Sequence, residues 1–243
     1  MTKTYLGQKG YSILKSSLSN SDLIFIRDKL SILPNIPHFI KQKPDPFPIY
    51  RESNQKIYVP RFFGLAHYGV PDENKLNTYT TTDKLNFKGE MRDYQTEIIH
   101  KYITHVTNKD NLYGGLLEIP CGRGKTVMAL NIASKLNVKT LVIVHKGFLL
   151  EQWIERIQQF LPNARIGRIQ GQIIDIEDKD IVIGMLQSLS MKDYPYSLFS
   201  SFVLTIVDEV HHIAAEVFVR SLFMVVTKYV LGLSATMQRK DGL

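Results

Sequence analysis

Apolar positions fall into two textures along the chain, and the change comes near Met91. Beyond it, short uninterrupted apolar runs alternate with stretches of helical spacing. The runs are LLEI (116–119), TLVIV (140–144), DIVIGM (180–185), VLTIVD (203–208) and YVLGLS (229–234). The helical stretches are 91–106, with Tyr94, Ile98, Ile99, Tyr102 and Ile103 at helical spacing, then 125–136, 148–160 and 215–226. A strand buried on both faces reads as a continuous apolar run. Alternation of such runs with helices predicts βαβ units. The expected fold class is α/β, with a parallel sheet of five to seven strands and helices on both faces.

Upstream of Met91 the pattern is weaker. Seven of the ten prolines lie between Pro34 and Pro71, which argues against long helices there. A short helix precedes them, capped by Asn20 or Ser21, with Leu23, Ile24, Ile26 and Leu30 on its apolar side. Pro44-Asp45-Pro46-Phe47-Pro48 reads as a rigid turn, with an extended partner ligand as the other reading. A hairpin follows, pairing 47–51 with 56–59 across Glu52-Ser53-Asn54-Gln55. Residues 72–88 are polar and weakly periodic and read as a linker. The expected organisation is a small α+β domain over 1–88 and an α/β domain over 89–243.

Composition narrows the class. Hydrophobic residues make up 44% and charged residues 22%, a globular balance that argues against disorder, collagen or coiled coil. The single cysteine, Cys121, excludes a disulfide framework and a Cys-rich zinc site and fits a reducing compartment. No run approaches the roughly 18 to 20 apolar residues of a membrane span, and the N-terminus lacks a signal peptide's apolar core. A soluble intracellular protein without membrane partners is expected. The net charge is +7, and most of it lies early: residues 1–90 hold 13 basic and 8 acidic residues. A basic surface attracts polyanions, nucleic acid first, or serves only for solubility.

Candidate chemistry begins at Pro120-Cys121-Gly122-Arg123-Gly124-Lys125-Thr126, between an apolar run and a helix. Glycines there let backbone N–H groups turn toward an anion, and the helix N-terminus adds a positive dipole. Lys125 suits β- and γ-phosphates, and the Thr126 hydroxyl suits Mg²⁺. Ile119 stands where the generic phosphate loop has a glycine, so the loop is a variant. Cys121 reads as a small filler. The second site is Asp208-Glu209-Val210-His211-His212, which ends an apolar run 83 residues after Lys125. Carboxyl ends of parallel strands are where such sheets hold their ligands. Asp208 is assigned to Mg²⁺, which keeps several waters, and Glu209 to the water attacking the γ-phosphate. Adjacent histidines rarely converge on one ion, so zinc is not expected. Trp153, beside Ile154 and Ile157, reads as core.

These residues resemble superfamily 2 helicases of the DExH type. Gly122-Arg123-Gly124-Lys125-Thr126, Asp208-Glu209-Val210-His211 and Ser234-Ala235-Thr236 stand in the order of motifs I, II and III. Met91-Arg92-Asp93-Tyr94-Gln95 is similar to the motif whose glutamine reads adenine, which implies that role for Gln95; Arg92 faces either nucleotide phosphate or solvent. Val142 through Trp153 resembles motif Ia, with His145-Lys146 in place of Pro-Thr, and Gly184-Met185-Leu186-Gln187-Ser188 resembles motif Ic. The resemblance implies nucleic-acid contacts at His145, Lys146, Gln187 and Ser188. It implies coupling through His211, Ser234 and Thr236, and either a DNA contact or an approach to the nucleotide for Arg239. The tail is similar to the XPB-like branch, whose Arg-Glu-Asp is Arg239-Lys240-Asp241 here, and to helicases of large DNA viruses, including the poxvirus transcript-release helicase.

The fold implied is RecA-like, with ATP and Mg²⁺ as cofactors and DNA or RNA held by its backbone. Partners in viral transcription or replication, in the cytoplasm or nucleus of a host cell or in a virion, follow from the same likeness. The resemblance covers about 91–243. It leaves out a second RecA-like domain with arginine fingers, each worth about 10³ to 10⁵ in rate, so little or no turnover by this chain alone is expected. Another P-loop NTPase and a non-enzymatic nucleic-acid-binding module are the alternatives.

Overall fold

The computed structural model describes residues 3–32, 45–77, 85–108, 113–192, 194–210, 221 and 223–235. A five-stranded sheet occupies the N-terminal part. Strands β1 (Thr4–Gly7) and β2 (Gly10–Leu14) form an antiparallel pair with Gly7 opposite Gly10. Helix α1 (Asn20–Lys29) follows, then β3 (Ser31–Ile32), β4 (Phe47–Pro48), β5 (Arg51–Glu52), β6 (Lys56–Val59), helix α2 (Arg61–Tyr68) and β7 (Glu73–Asn74). The sheet order is β5-β6-β2-β1-β7, and β3 pairs only with β4.

Three expectations change here. The N-cap of α1 is Ser19, one residue earlier than Asn20. Ser19 Oγ accepts the Asp22 N–H at 3.1 Å, and Asp22 Oδ2 accepts the Ser19 N–H at 2.9 Å. That reciprocal box satisfies two orphan donors at once, which neither Asn20 nor Ser21 does. The hairpin is shorter than its apolar pattern: only Arg51–Glu52 reaches β6, and Phe47–Pro48 turns to β3. Pro46 and Pro48 lack the N–H a longer arm would donate. The stretch 72–88 is anchored at both ends. Glu73 and Asn74 pair in parallel with β1, Leu76 is buried, the Leu85 N–H donates to Asn137 Oδ1 and the Lys88 N–H to the Phe160 carbonyl. Backbone pairing needs no apolar period, so polarity alone misread it.

Glu52 ties this unit together at its edge. Its carboxylate takes Arg27 Nε at 2.8 Å and Lys15 Nζ at 2.6 Å. The Arg27 hydrogen bond, with Lys15, holds the Glu52 carboxyl at about 2, below its ordinary 4.5. A depressed carboxyl stabilises the fold above its unfolded value and loses that contribution as pH falls through the folded one. Partial exposure limits the effect to about 1 kcal/mol. Glu52→Gln is therefore expected to lower the urea midpoint at pH 7, with the gap to the unaltered chain closing between pH 4.5 and pH 2.

The larger sheet follows α3 (Asp93–Thr107). Its elements in chain order are β8 (Gly114–Glu118), α4 (Lys125–Leu136), β9 (Thr140–Val144), α5 (Gly147–Phe160), β10 (Ile166–Gln170), β11 (Ile173–Asp175), β12 (Ile181–Met185), α6 (Leu186–Met191), β13 (Leu204–Asp208) and β14 (Tyr229–Ser234). The order is β11-β10-β12-β9-β13-β14-β8, parallel throughout except for the edge strand β11. All five expected strands are present. β10 and β11 are additional: neither is a continuous apolar run, because β10 alternates and β11 is largely exposed. The expected helix at 215–226 falls largely outside the described residues.

Each central strand sends alternate side chains to opposite faces. Val142, Val144, Ile181, Ile183, Leu204 and Ile206 meet α4 and α5, whereas Leu141, Ile143, Val182 and Val207 meet Leu186, Leu189, Phe199 and Phe202. Each such side chain contributes about 1.5 to 3 kcal/mol by leaving water. With both faces covered, the carboxyl edge of the strands is the surface left for chemistry.

The two sheets meet through α2. Arg61 is 7% exposed, and its guanidinium donates to the Lys228 carbonyl at 2.8 Å and to the Thr227 carbonyl. Those carbonyls lie just before β14. The Asn77 side chain also donates to the Ser200 carbonyl at 2.9 Å.

Candidate nucleotide site

β8 ends at Glu118, and the chain reaches α4 through Ile119–Gly124. Ile119 prolongs the strand: its N–H donates to the Ser234 carbonyl at 2.9 Å, and its side chain is buried in the core. The position that is a glycine in the generic loop is thus a packed strand residue here. Gly122 and Gly124 take φ of 78° and 86°, a region costly for residues with a Cβ. A Cβ on Gly124 would lie 2.5 Å from Gln95 Nε2, so that amide would have to move, whereas one on Gly122 would meet nothing within 4 Å.

The loop is braced from α3. The Arg123 carbonyl accepts hydrogen bonds from Tyr94 Oη at 3.0 Å and Gln95 Nε2 at 3.1 Å. Gln95 is buried, and its Oε1 accepts the Arg92 N–H at 3.0 Å. Each end of its amide therefore has one partner, with one hydrogen and one lone pair left over. Arg92 itself is exposed at the start of α3. Gly124→Ala is expected to cost about 1 to 2 kcal/mol from the backbone alone and to dislodge the Gln95 brace. Its urea midpoint should fall further than that of Gly122→Ala, and equal midpoints would remove the brace.

Lys125 opens α4, and Thr126, half-buried, follows it. Lys125 Nζ is buried, has no hydrogen-bond partner among the described residues, and lies 3.5 Å from Glu209 Oε1. Glu209 follows β13 with φ of 51°, an uncommon backbone for a residue with a Cβ. Asp208, the last residue of β13, is buried and accepts a hydrogen bond on Oδ2 from Trp153 Nε1 at 2.8 Å. Burial pushes the Asp208 carboxyl above its ordinary range; the Trp153 N–H pulls it down, the Glu209 charge adds to the rise and Lys125 opposes it. Trp153 is core as expected, at 1% exposure, but its contact with Asp208 was not legible: the two are 55 residues apart, on α5 and β13.

Between β8 and β13 runs β14, so Ser234 sits between the loop and the carboxylates. His145, Lys146, Gln187 and Ser188 also come together. They follow β9 and β12, which are neighbours, and Gln187 Nε2 donates to the His145 carbonyl at 2.6 Å. Ser188 Oγ accepts the Gly171 N–H at 2.9 Å. Lys146 is exposed beside the equally exposed Phe148. His211, Thr236 and Arg239 lie outside the described residues.

The residues fit a Mg·nucleoside triphosphate. A buried ammonium without a hydrogen-bond partner marks a place for anionic oxygens. Open space at Gly122 lets phosphates approach the main chain, and two adjacent carboxylates suit a hydrated hard cation. Among the described residues no group of three or more His, Cys, Asp or Glu could hold a metal directly. Cys121 is exposed and free.

The family described as type III restriction enzyme, res subunit, matches residues 88–239. The chain belongs to that family. It is a helicase-type domain of superfamily 2 with a RecA-like fold. A provisionally named ATP-dependent RNA helicase of Acanthamoeba polyphaga mimivirus is 32% identical to it, over 99% of this chain and 46% of that protein. A DNA 3'-5' translocase of Sulfurisphaera tokodaii is 35% identical, over 64% of this chain and 33% of that protein. The UvsW helicase of bacteriophage T4 shares the fold at a TM-score of 0.55 and 18% identity, over 90% of this chain and 87% of that one. The chain thus spans about half the length of its mimivirus relative. No helix among the described residues is long and apolar enough to cross a membrane.

Proposed function

We propose that this helicase domain binds Mg·ATP at the β8–α4 loop and serves as the nucleotide-binding half of a nucleic-acid translocase. The observation that carries the reading is the buried Lys125 ammonium, without a hydrogen-bond partner among the described residues, 3.5 Å from Glu209 across the carboxyl edge of the sheet. In this reading the N–H groups of Cys121, Gly122, Gly124 and Lys125 and the Lys125 side chain hold the β- and γ-phosphates, while the Arg123 N–H closes the turn onto the Pro120 carbonyl. Thr126 and Asp208 hold the magnesium shell, which supplies charge neutralisation on the phosphates when bound. Glu209 orients the attacking water. Gln95, seated behind the loop, uses its remaining hydrogen and lone pair toward the base.

His145, Lys146, Gln187 and Ser188 form the strand-gripping edge. The exposed Lys146 ammonium and the Ser188 hydroxyl can donate to phosphate oxygens, contacts that carry little sequence information. DNA is favoured over RNA by the name of the Sulfurisphaera relative, and RNA by that of the mimivirus one. The basic unit of residues 1–88 adds phosphate contacts, and 89–243 is the first of two RecA-like domains. His211, Ser234 and Thr236 couple the two sites, and Arg239 reaches DNA. Viral relatives set the expected work in an infected host cell, in transcription or replication.

Titration calorimetry with a non-hydrolysable ATP analogue tests the reading. Binding that requires Mg²⁺ is expected, and no heat at millimolar analogue would end it. DNA affinity should fall steeply with salt, as counterion release requires.

A further inference from the structure

We propose that Trp153 is a positioning residue for magnesium: its indole N–H holds Asp208 through Oδ2 and fixes the carboxylate orientation that meets the metal. This rests on the reading of Asp208 given above.

Trp153 projects from the second turn of α5 into the main core, among Val144, Leu150, Ile157 and Ile206. Phenylalanine or leucine would satisfy that apolar environment. Tryptophan differs by one donor and no acceptor, and that donor meets the carboxylate at 2.8 Å in a buried setting. The metal binds from the phosphate side, where Lys125 and Glu209 lie. The indole approaches from the core side, so it does not compete for the site. A carboxylate at a strand end retains freedom about χ1 and χ2, and a fixed donor on one oxygen removes it. Groups that orient metal-holding carboxylates in this way typically matter 10- to 100-fold to metal affinity.

Because Trp153 is the only tryptophan of the chain, its indole N–H gives one isolated cross-peak in a ¹⁵N–¹H spectrum of the full chain. Saturating Mg·ADP should displace that peak, and ADP with chelator should displace it less. In Trp153→Phe, which keeps the ring filling and removes the donor, the Mg²⁺ concentration needed for nucleotide binding should rise about 10-fold or more, while metal-free nucleotide affinity stays unchanged. A packing defect alone would lower both affinities together. An unchanged Mg²⁺ requirement in Trp153→Phe overturns the proposal, as does an unmoved cross-peak when calorimetry shows Mg·ADP bound. If the variant does not fold, the cross-peak of the unaltered chain decides. If the unaltered chain binds no Mg·nucleotide at all, the nucleotide site itself is refuted, and this role goes with it.

Discussion

Lys125→Ala is expected to weaken Mg·nucleotide binding by about 30-fold or more, the cost of truncating one partner in a buried charged contact. The reasoning begins with what the ammonium lacks. It sits at the N-terminus of α4, in partial burial, where helix dipole and desolvation both disfavour a cation. Among the described residues its nearest carboxylate is Glu209 at 3.5 Å, beyond ordinary hydrogen-bond length, and the Asp208 charge also acts on it. A lysine is kept in such a place only if something anionic completes it. The alanine variant loses that attraction and leaves Glu209 facing the phosphates, where like charge repels them. Calorimetry at fixed Mg²⁺ reads the difference. Affinity unchanged within threefold would mean that the loop does not hold a triphosphate.

Arg61→Ala is expected to lower the stability of the whole chain by about 2 to 4 kcal/mol. The side chain is buried, and its fork joins the carbonyls of Thr227 and Lys228 from the neighbouring sheet. Removing it strands a buried acceptor on Thr227 and a partly buried one on Lys228, at about 1 to 3 kcal/mol each when buried, and the relief of no longer burying a charge offsets part of that. Burial pulls the guanidinium down to about 10, so it stays charged at neutral pH. Lysine should rescue little, because a point ammonium cannot span both carbonyls as the planar fork does. For a chain of this size the loss corresponds to roughly 5 to 15 °C in melting temperature. An unchanged melting temperature would show that the two sheets do not depend on this clamp.

The larger sheet was legible because burial on both faces writes itself as uninterrupted apolar runs, as in Thr140–Val144 and Leu204–Asp208. The turn between β8 and α4 was legible for a related reason: two glycines ahead of a helical stretch mark where the backbone can take positive φ, as Gly122 and Gly124 do. The N-terminal unit was legible only in part: α1 and β6 were expected, but β1, β2 and β7 were not. Its strands are two to five residues long, and β7 is held by main-chain bonds to β1 that leave no mark on side-chain pattern. Nothing near Arg61 in the sequence marks it as a clamp, because its two acceptors lie 166 and 167 residues away. Gln95 and Tyr94 illustrate the same limit within the site. Their helix was predicted, yet their joint hold on one loop carbonyl depends on how α3 lies across α4.

Helix α5 begins directly after Lys146, on the edge proposed above to grip nucleic acid, and, two turns later, reaches Asp208 through Trp153. A helix barely bends over about 10 Å, so a tug at one end is a tug at the other. If the proposed grip and magnesium roles hold, tension on a captured strand would arrive at the Asp208 carboxylate as tilt, with no relay of loops between them.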